Sequence, residues 1–233
     1  MHLFGVHIDE TTYEDVLENI HDRLSSAQQT RLFTPNPEML LQASRDDEYA
    51  GILDSAEISV PDGMGLFVAY QACRDGLQTY PYQTLPLVKY LMLPWWWFRA
   101  MFDQKRIYEK YGERITWADL TKDILQIAAS EKIRVVIVDR EVTAWETSEY
   151  DLRKKKHQKR VVSVLQEQFP GLDVEHVCVG DSVETQCIVS LPSTQPCILL
   201  CTIGGKQQET LVHNLMEQNE NVILGAGIGG SID

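Results

Sequence analysis

The sequence predicts an α/β fold with a largely parallel sheet that is covered by helices on both faces. Short apolar runs that are typical of strands alternate with amphipathic helical stretches along the chain, as they do in βαβ units. In addition, a length of 233 residues and a hydrophobic content of 44% are sufficient for one substantial core. We therefore expect a single domain over residues 1–233.

The elements of the first third follow from apolar spacing and from capping residues. Residues 3–7 are strand-like. A helix is predicted from Thr11 or Thr12 to about residue 27, because threonine caps helices and residues 16, 17, 20 and 24 are apolar side chains of one helical face. Strands are then predicted at 31–33 and 56–60, and helices at 38–45, 47–55 and 66–73.

The rest of the chain continues the alternation. Helices are predicted at 120–130, 153–169 and 207–218, and strands at 135–138, 174–179, 197–203 and 222–224. The polar residues 140–150 are expected to form a surface loop. Strands separated by helices in this way pair in parallel, so the carboxyl ends of the strands meet at one edge of the sheet.

One apolar segment, residues 85–102, interrupts this pattern. It is apolar except for Lys89 and Arg99 and contains Trp95, Trp96 and Trp97. The segment is too short, and too interrupted by proline and cations, for a membrane span. Tryptophan beside lysine and arginine suits the lipid headgroup layer instead. Three roles remain open: contact with a membrane surface, an interface in a homo-oligomer, and a hairpin inside the core.

Composition and charge exclude several classes of protein. A formal net charge of −13 argues against nucleic-acid binding, which needs a basic face. The basic run at 153–160 is either a solvated helix face or a surface that attracts anionic lipid or a nucleotide diphosphate. Five cysteines without a CxxC pair and six scattered histidines predict reduced thiols, a cytoplasmic location and no metal site. A signal peptide is not indicated.

Two loops carry the most chemical information. The sequence TPNPE at 34–38 and the sequence PDGMG at 61–65 each follow a predicted strand and precede a predicted helix. In an open α/β sheet such loops form the ligand crevice. Thr34, Asn36 and Asp62 are also good helix caps, and that purely structural role is the alternative for each loop.

The two loops, taken with three later segments, carry a resemblance to a known family. The chain resembles the TagA/WecG/CpsF family of bacterial glycosyltransferases (glycosyltransferase family 26). The later segments are GERITWADL at 112–120, GGKQQE at 204–209 and GIGGSID at 227–233. This resemblance implies a Rossmann-like α/β domain, in which about 77–111 is an insertion. It also implies a basic C-terminal appendage that would follow Asp233, so we expect the chain to be truncated.

The resemblance assigns roles in the first loops. It places the catalytic aspartate at Asp62, where a carboxylate in a partly dry crevice can act as a general base. Thr34 and Asn36 match residues that orient the sugars. Arg114 matches an arginine that meets phosphate or the acceptor, for which a guanidinium is well suited; the alternative for Arg114 is a surface ion pair with Glu113.

Later residues are expected to bind substrate. Gly204 and Gly205 lie between a strand and a helix, where backbone N–H groups can face an anion. The resemblance also implies substrate contacts for the residues Gln208, Glu209, Gly227, Gly229 and Asp233. Two positions depart from the family pattern: Lys206-Gln207 replaces Pro-Lys, and Asp139-Arg140 stands where relatives have glycines. An aspartate in a phosphate loop would repel a nucleotide unless Arg140 compensates its charge.

Together these inferences predict a metal-independent, inverting glycosyltransferase. The resemblance implies a UDP-sugar donor, with N-acetylmannosamine as the transferred N-acetylhexosamine, and a polyprenyl-diphosphate-linked sugar as the acceptor. It places the protein peripherally on the inner face of the cell membrane, in surface-polymer synthesis. The first alternative is a non-catalytic nucleotide-sugar or lipid-binding module. The second, a nicotinamide-dependent oxidoreductase, is disfavoured because no helix follows the GxGxxG sequence at 225–230.

Overall fold

The computed structural model describes residues 2–62, 115–140, 160–179 and 195–229, and the single residues 66, 98 and 102. Of the predicted insertion, only residues 98 and 102 are described; residues 63–65, Arg114, residues 141–159 and residues 230–233 lie outside the described residues. Contacts divide the chain into two compact units. The first unit is Met1–Val16, Thr34–Asp54 and Ser59–Thr116, and the second is Leu17–Phe33, Ser55–Ile58 and Trp117–Asp233.

Strands and helices alternate along the described ranges. The strands are β1 (His2–Leu3), β2 (Val6–His7), β3 (Thr30–Phe33), β4 (Ile58–Ser59), β5 (Arg134–Arg140), β6 (Val174–Val179), β7 (Cys197–Cys201) and β8 (Val222–Gly227). The helices are α1 (Tyr13–Ser25), α2 (Pro37–Ala43), α3 (Asp47–Asp54), α4 (Trp117–Glu131), α5 (160–168) and α6 (Gly205–Gln218).

Six of these strands form one sheet in the order β4-β3-β8-β7-β5-β6. The pairs β3/β8, β8/β7, β7/β5 and β5/β6 are parallel. This confirms the predicted α/β class with a parallel sheet. All residues of β7 and β8 are buried, which explains why these strands are continuous apolar runs rather than alternating ones.

The N-terminal segment differs from its prediction. Residues 3–7 do not form one strand, because β1 and β2 make an antiparallel hairpin that pairs His2 with His7 and Leu3 with Val6. The two residues of its turn, Phe4 and Gly5, have φ of 52° and 83°. Positive φ at both central positions is the type I′ pattern that closes two-residue hairpins. Residues 3–6 contain no polar side chain that would mark a turn, so the sequence pattern did not reveal it.

Helix α1 agrees with its prediction. The Thr12 hydroxyl accepts a hydrogen bond from the Asp15 N–H at 3.2 Å, and the Asp15 carboxylate accepts one from the Thr12 N–H at 3.4 Å. This reciprocal capping satisfies backbone donors of the first turn. Val16, Ile20 and Leu24 are buried, which confirms the predicted apolar face.

Strand β8 extends three residues beyond its predicted end. A Cβ placed on Gly225 would lie 2.8 Å from Val212 Cγ1 and would also meet the Met216 sulfur. Helix α6 therefore packs directly against the backbone of β8. Glycine at this position allows close packing between α6 and the sheet, which interpreting glycine as a turn residue does not reveal.

Two cysteines of β7 are buried and unreactive. Cys197 and Cys201 are free and buried. Burial raises the pKa of Cys197 to about 11 and the pKa of Cys201 to about 12. Both thiols therefore stay protonated at neutral pH and pack as small apolar groups.

The described residues contain neither a membrane-spanning helix nor a cluster of metal-binding side chains. In the ranges given above, no helix is long and apolar enough to cross a membrane. Likewise, those ranges contain no group of three or more His, Cys, Asp or Glu side chains that could hold a metal ion.

Candidate active site

The loops that follow β3 and β4 contact each other within the first unit. The backbone N–H of Asp62 donates to the carbonyl oxygen of Pro35 at 3.2 Å. Pro35 lies one residue after Thr34 and one before Asn36. The hydrogen bond thus brings together the two segments that carry the predicted catalytic residues.

Asn36 caps helix α2. Its backbone is extended (φ −108°, ψ 170°), and its Oδ1 atom accepts from the Met39 N–H at 2.9 Å, while Pro37 occupies the first turn. The Asn36 oxygen therefore has the helix-capping role that was the alternative to substrate binding. Its Nδ2 group makes no hydrogen bond to any residue in the described part of the chain, so two N–H donors are left for a ligand.

Thr34 and Asp62 differ in exposure. Thr34 is 5% exposed, and its hydroxyl makes no hydrogen bond among the residues that the structure describes. Asp62 is partly buried. A threonine hydroxyl can both donate and accept a hydrogen bond, so it could pair with a ligand hydroxyl or phosphate oxygen.

In the second unit, Gln208 connects the loops that leave β7 and β8. Its Oε1 atom accepts from the Gly204 N–H and from the Gly229 N–H, each at 3.2 Å. Gly204, at the N-terminus of α6, has φ of 76°, and Gly229 has φ of 53°. Both positions favour glycine because other residues are strained there. The Gly204 N–H, predicted to face an anion, is directed at Gln208 instead.

Gln208 and Glu209 form a buried pair. They are 8% and 2% exposed, and Gln208 Nε2 donates to Glu209 Oε1 at 2.6 Å. A Cβ on Gly227 would lie 2.8 Å from each of these two atoms. Gly227 is thus the residue that makes room for the pair, a role that the sequence motif alone did not reveal.

Thr202 is a residue that the sequence analysis missed. Its N–H and its hydroxyl both donate to the Val138 carbonyl, at 2.9 and 3.3 Å. The next loop is fixed as well, because the Ile228 N–H donates to the Cys201 carbonyl at 2.8 Å. These bonds hold the ends of β5, β7 and β8 in one register. An isolated threonine after an apolar run carries no signal for such a role.

Asp139 lies near the end of β5 and affects its surroundings electrostatically. Burial is the main cause of the raised pKa of Cys201, and the charges of Glu209 and Asp139 raise it further. The pKa of His176 is lowered by burial and raised in part by Asp139. The carboxylate that departs from the family pattern therefore lies within electrostatic range of both β6 and β7.

Comparison with known proteins identifies the family. The model of the Glycosyl transferase WecG/TagA/CpsF family matches residues 1–87 and 96–233. The chain belongs to the WecG/TagA/CpsF glycosyltransferase family. The residues that the match leaves out, 88–95, lie inside the predicted insertion.

A curated relative of this WecG/TagA/CpsF chain comes from Bacillus subtilis (strain 168). It is an N-acetylglucosaminyldiphosphoundecaprenol N-acetyl-beta-D-mannosaminyltransferase, 22% identical over 202 residues. These residues are 86% of this chain and 60% of the relative. The chain therefore spans about 60% of the length of the relative that it matches.

The WecG/TagA/CpsF match covers the motifs of both units. In the first unit, the structure brings Asp62 close to the loop of Thr34 and Asn36. In the second, it brings together Gln208, Glu209, Gly204, Gly227 and Gly229. Arg114 and Asp233 lie outside the described residues, as do Gly63 and Gly65 of the second loop.

Proposed function

We propose that this chain is an inverting glycosyltransferase that uses a UDP-sugar donor and a polyprenyl-diphosphate-linked sugar acceptor. Family membership supports glycosyl transfer, and the name of the Bacillus relative specifies an N-acetylmannosaminyl group and an undecaprenyl-diphosphate acceptor. By analogy, the transferred group is an N-acetylhexosamine, namely N-acetylmannosamine. The product would enter a cell-surface polymer such as teichoic acid or capsule.

The hydrogen bond from Asp62 to Pro35 carries the proposal. It fixes the position of the Asp62 backbone relative to the Thr34–Asn36 loop, so a carboxylate, a hydroxyl and an amide belong to one local assembly. A general base must lie within hydrogen-bond reach of the hydroxyl that it deprotonates. The amide and hydroxyl can orient that sugar without competing for its proton.

In the proposed reaction, the Asp62 carboxylate takes the proton of the acceptor hydroxyl as its oxygen attacks the anomeric carbon. The new glycosidic bond forms while the bond between that carbon and the UDP oxygen breaks, and UDP departs with the electron pair. One displacement on the face opposite the leaving group inverts the anomeric centre. Arg114 would neutralise charge on the diphosphate, because a guanidinium binds two oxygens at once.

The family resemblance also assigns substrate binding to residues of the second unit. Lys206 lies in the first turn of α6 and is exposed, so its ammonium can meet a phosphate at the N-terminal end of the helix. Gln208 and Glu209 would hold the loop before α6 in place, because their hydrogen bonds are made to protein groups. The resemblance also assigns substrate contacts to Gly227, Gly229 and Asp233.

The Trp-rich insertion bears on the location and the partners of the protein. We assign the Trp-rich insertion at about 77–111 to contact with the membrane surface or with a second copy of the chain. Either role is compatible with a single glycosyltransferase domain acting peripherally at the inner face of the cell membrane, where a polyprenyl-linked acceptor is found.

A second candidate function is non-catalytic binding of a nucleotide sugar or lipid. The observation that favours it is the charge of Asp139, which raises the pKa of Cys201 and so lies near the ends of the central strands. A negative charge there opposes the charge that develops on a departing diphosphate, so it would disfavour transfer more than binding.

One experiment separates the two candidates. UDP release is measured from UDP-N-acetylmannosamine and from UDP-N-acetylglucosamine, with and without a polyprenyl-diphosphate-N-acetylglucosamine acceptor, and UDP binding is measured in parallel. Acceptor-dependent release supports the glycosyltransferase. UDP binding without release from either donor favours the binding module.

A further inference from the structure

The N-terminal hairpin carries a pair of histidines that the proposed reaction does not use. His2 and His7 are directly opposed across β1 and β2, and both are exposed. Opposed residues of an antiparallel pair have Cβ atoms only about 5 Å apart on one face. The two imidazoles meet edge to face, with their centroids 4.8 Å apart and an angle of 61° between their planes.

The ring nitrogens of this pair converge. His7 Nδ1 and His2 Nε2 are 3.2 Å apart. Two nitrogens that bind one tetrahedral Zn²⁺ at about 2.05 Å are ~3.3 Å apart. The observed separation therefore fits a shared metal ion almost without movement of either ring, as well as it fits a hydrogen bond between the imidazoles.

Asp9 provides a second, independent observation. Its Oδ1 atom lies 3.0 Å from His7 Nε2. The carboxylate is itself fixed, because its Oδ2 atom accepts from the Ser59 N–H at 2.8 Å and the Asp9 N–H donates to the Ser59 carbonyl at 2.7 Å. A carboxylate that holds one nitrogen of a histidine keeps the proton there and leaves the other nitrogen as an acceptor. His7 Nδ1 is thus oriented, with its lone pair, toward His2.

We propose that His2 and His7 bind a divalent transition-metal ion such as Zn²⁺, with Asp9 as the residue that orients His7. The ligands are two imidazoles, which suit Zn²⁺, Ni²⁺ and Cu²⁺, and water completes the coordination. Two protein ligands are fewer than the three of a catalytic zinc site, so this ion stabilises the hairpin and takes no part in glycosyl transfer. The site is independent of the proposed function.

The test uses zinc titration by calorimetry on protein without a histidine tag, in a buffer that does not chelate metal. The wild type should bind one Zn²⁺. His2→Gln and His7→Gln should each abolish this binding, and Asp9→Asn should weaken it by about 10- to 100-fold. The matched control is His21→Gln, at an exposed histidine of α1, which should bind as the wild type does.

Thermal unfolding provides a second readout. Zn²⁺ should raise the melting temperature of the wild type and of His21→Gln, because an ion that binds only the folded state stabilises it. It should not raise the melting temperature of His2→Gln. The proposal is overturned if the wild type does not bind Zn²⁺, or if both His2→Gln and His7→Gln retain the wild-type affinity.

Discussion

Gln208 and Glu209, neighbours on α6, are hydrogen-bonded to each other through their side chains, with 2.6 Å between Nε2 and Oε1. The Oε1 atom of Gln208 accepts hydrogen bonds from the N–H groups of Gly204 and Gly229. Gln208 was expected to contact substrate, but its side-chain oxygen and nitrogen are both hydrogen-bonded to other groups of the protein. This arrangement makes the loops after β7 and β8 depend on one side chain.

Replacing Gln208 with methionine should therefore destabilise the protein. The variant keeps the side-chain volume but leaves the N–H groups of Gly204 and Gly229 without their acceptor and removes one hydrogen bond of Glu209. Each buried polar group left unpaired costs about 1–3 kcal/mol. Urea denaturation measures the loss in the free energy of unfolding. The control is Gln218→Met, at an exposed glutamine of the same helix, and equal stabilities of the two variants would contradict this prediction.

Gly227→Ala should also destabilise the fold. The new methyl group would lie 2.8 Å from both Gln208 Nε2 and Glu209 Oε1, and overpacking of this kind costs about 1–3 kcal/mol. The control is Gly51→Ala in α3, where nothing lies within 4 Å of the added Cβ. That change should stabilise the helix by about 0.5–1 kcal/mol. Thermal unfolding of both variants would reveal opposite shifts, and shifts of the same sign would argue against the packing described.

Asp62→Asn should abolish transfer without affecting folding. The amide keeps the shape of the side chain but does not accept a proton, and loss of a general base typically lowers kcat by about 10²- to 10⁴-fold. Steady-state UDP release measures the effect, and circular dichroism checks the fold. Asp47→Asn, at an exposed aspartate of the same unit, is the matched control. An unchanged kcat in Asp62→Asn would remove this residue from the mechanism.

Replacing Trp95, Trp96 and Trp97 together with serine should weaken binding to anionic liposomes. Indole rings contribute most of the apolar contact with the headgroup layer, and serine does not replace it. Co-sedimentation with vesicles measures the bound fraction. If the triple variant sediments with vesicles as the wild type does, the segment belongs to the core or to an oligomer contact.

The stability of the protein should fall in acid because of His213. Burial lowers the pKa of His213, and nearby Arg31 lowers it further, while Glu217 and Glu57 oppose the shift. Its Nδ1 atom lies 3.1 Å from the Ser55 hydroxyl. Because the folded state binds the proton less readily than the unfolded chain, His213 contributes stability above the ordinary histidine pKa, and this stability is lost as the pH falls through the lower, folded value.

A pH series of urea denaturation tests this sign. The free energy of unfolding of the wild type, relative to that of His213→Gln, should decrease between about pH 7.5 and pH 5. His21→Gln provides a control for the general effect of removing a histidine. Parallel pH profiles of the wild type and His213→Gln would contradict the prediction.

The sequence predicted most of the described sheet because its strands are long apolar runs and its helices have one apolar face. Strand β6 has the predicted ends, and α1 lies within two residues of its prediction at each end. Errors arose where a local pattern has two meanings. Phe4 and Gly5 form a turn within a segment that resembles one strand. Gly225 lies inside β8 rather than at its end, because helix α6 packs closely against the strand there.

The candidate site was predicted in part. The proximity of the Asp62 and Thr34 loops follows from parallel strand ends, and the Asp62–Pro35 hydrogen bond agrees with it. Helix capping by Asn36 was predicted as the alternative to a role in the site. The commitment of Gln208 to Gly204 and Gly229 was not predicted, because it joins residues up to 21 positions apart, and no local spacing encodes such a contact.

Gly225 and Gly227, two positions apart on β8, point to the same side of the sheet. Helix α6 rests there on bare backbone, without an intervening layer of side chains that could rearrange. A larger residue at Val212 or Met216 would therefore displace the whole helix, and with it the Lys206 end. In laboratory evolution of this protein, we expect accepted changes at this contact to arise as compensating pairs, and single enlargements to be rare.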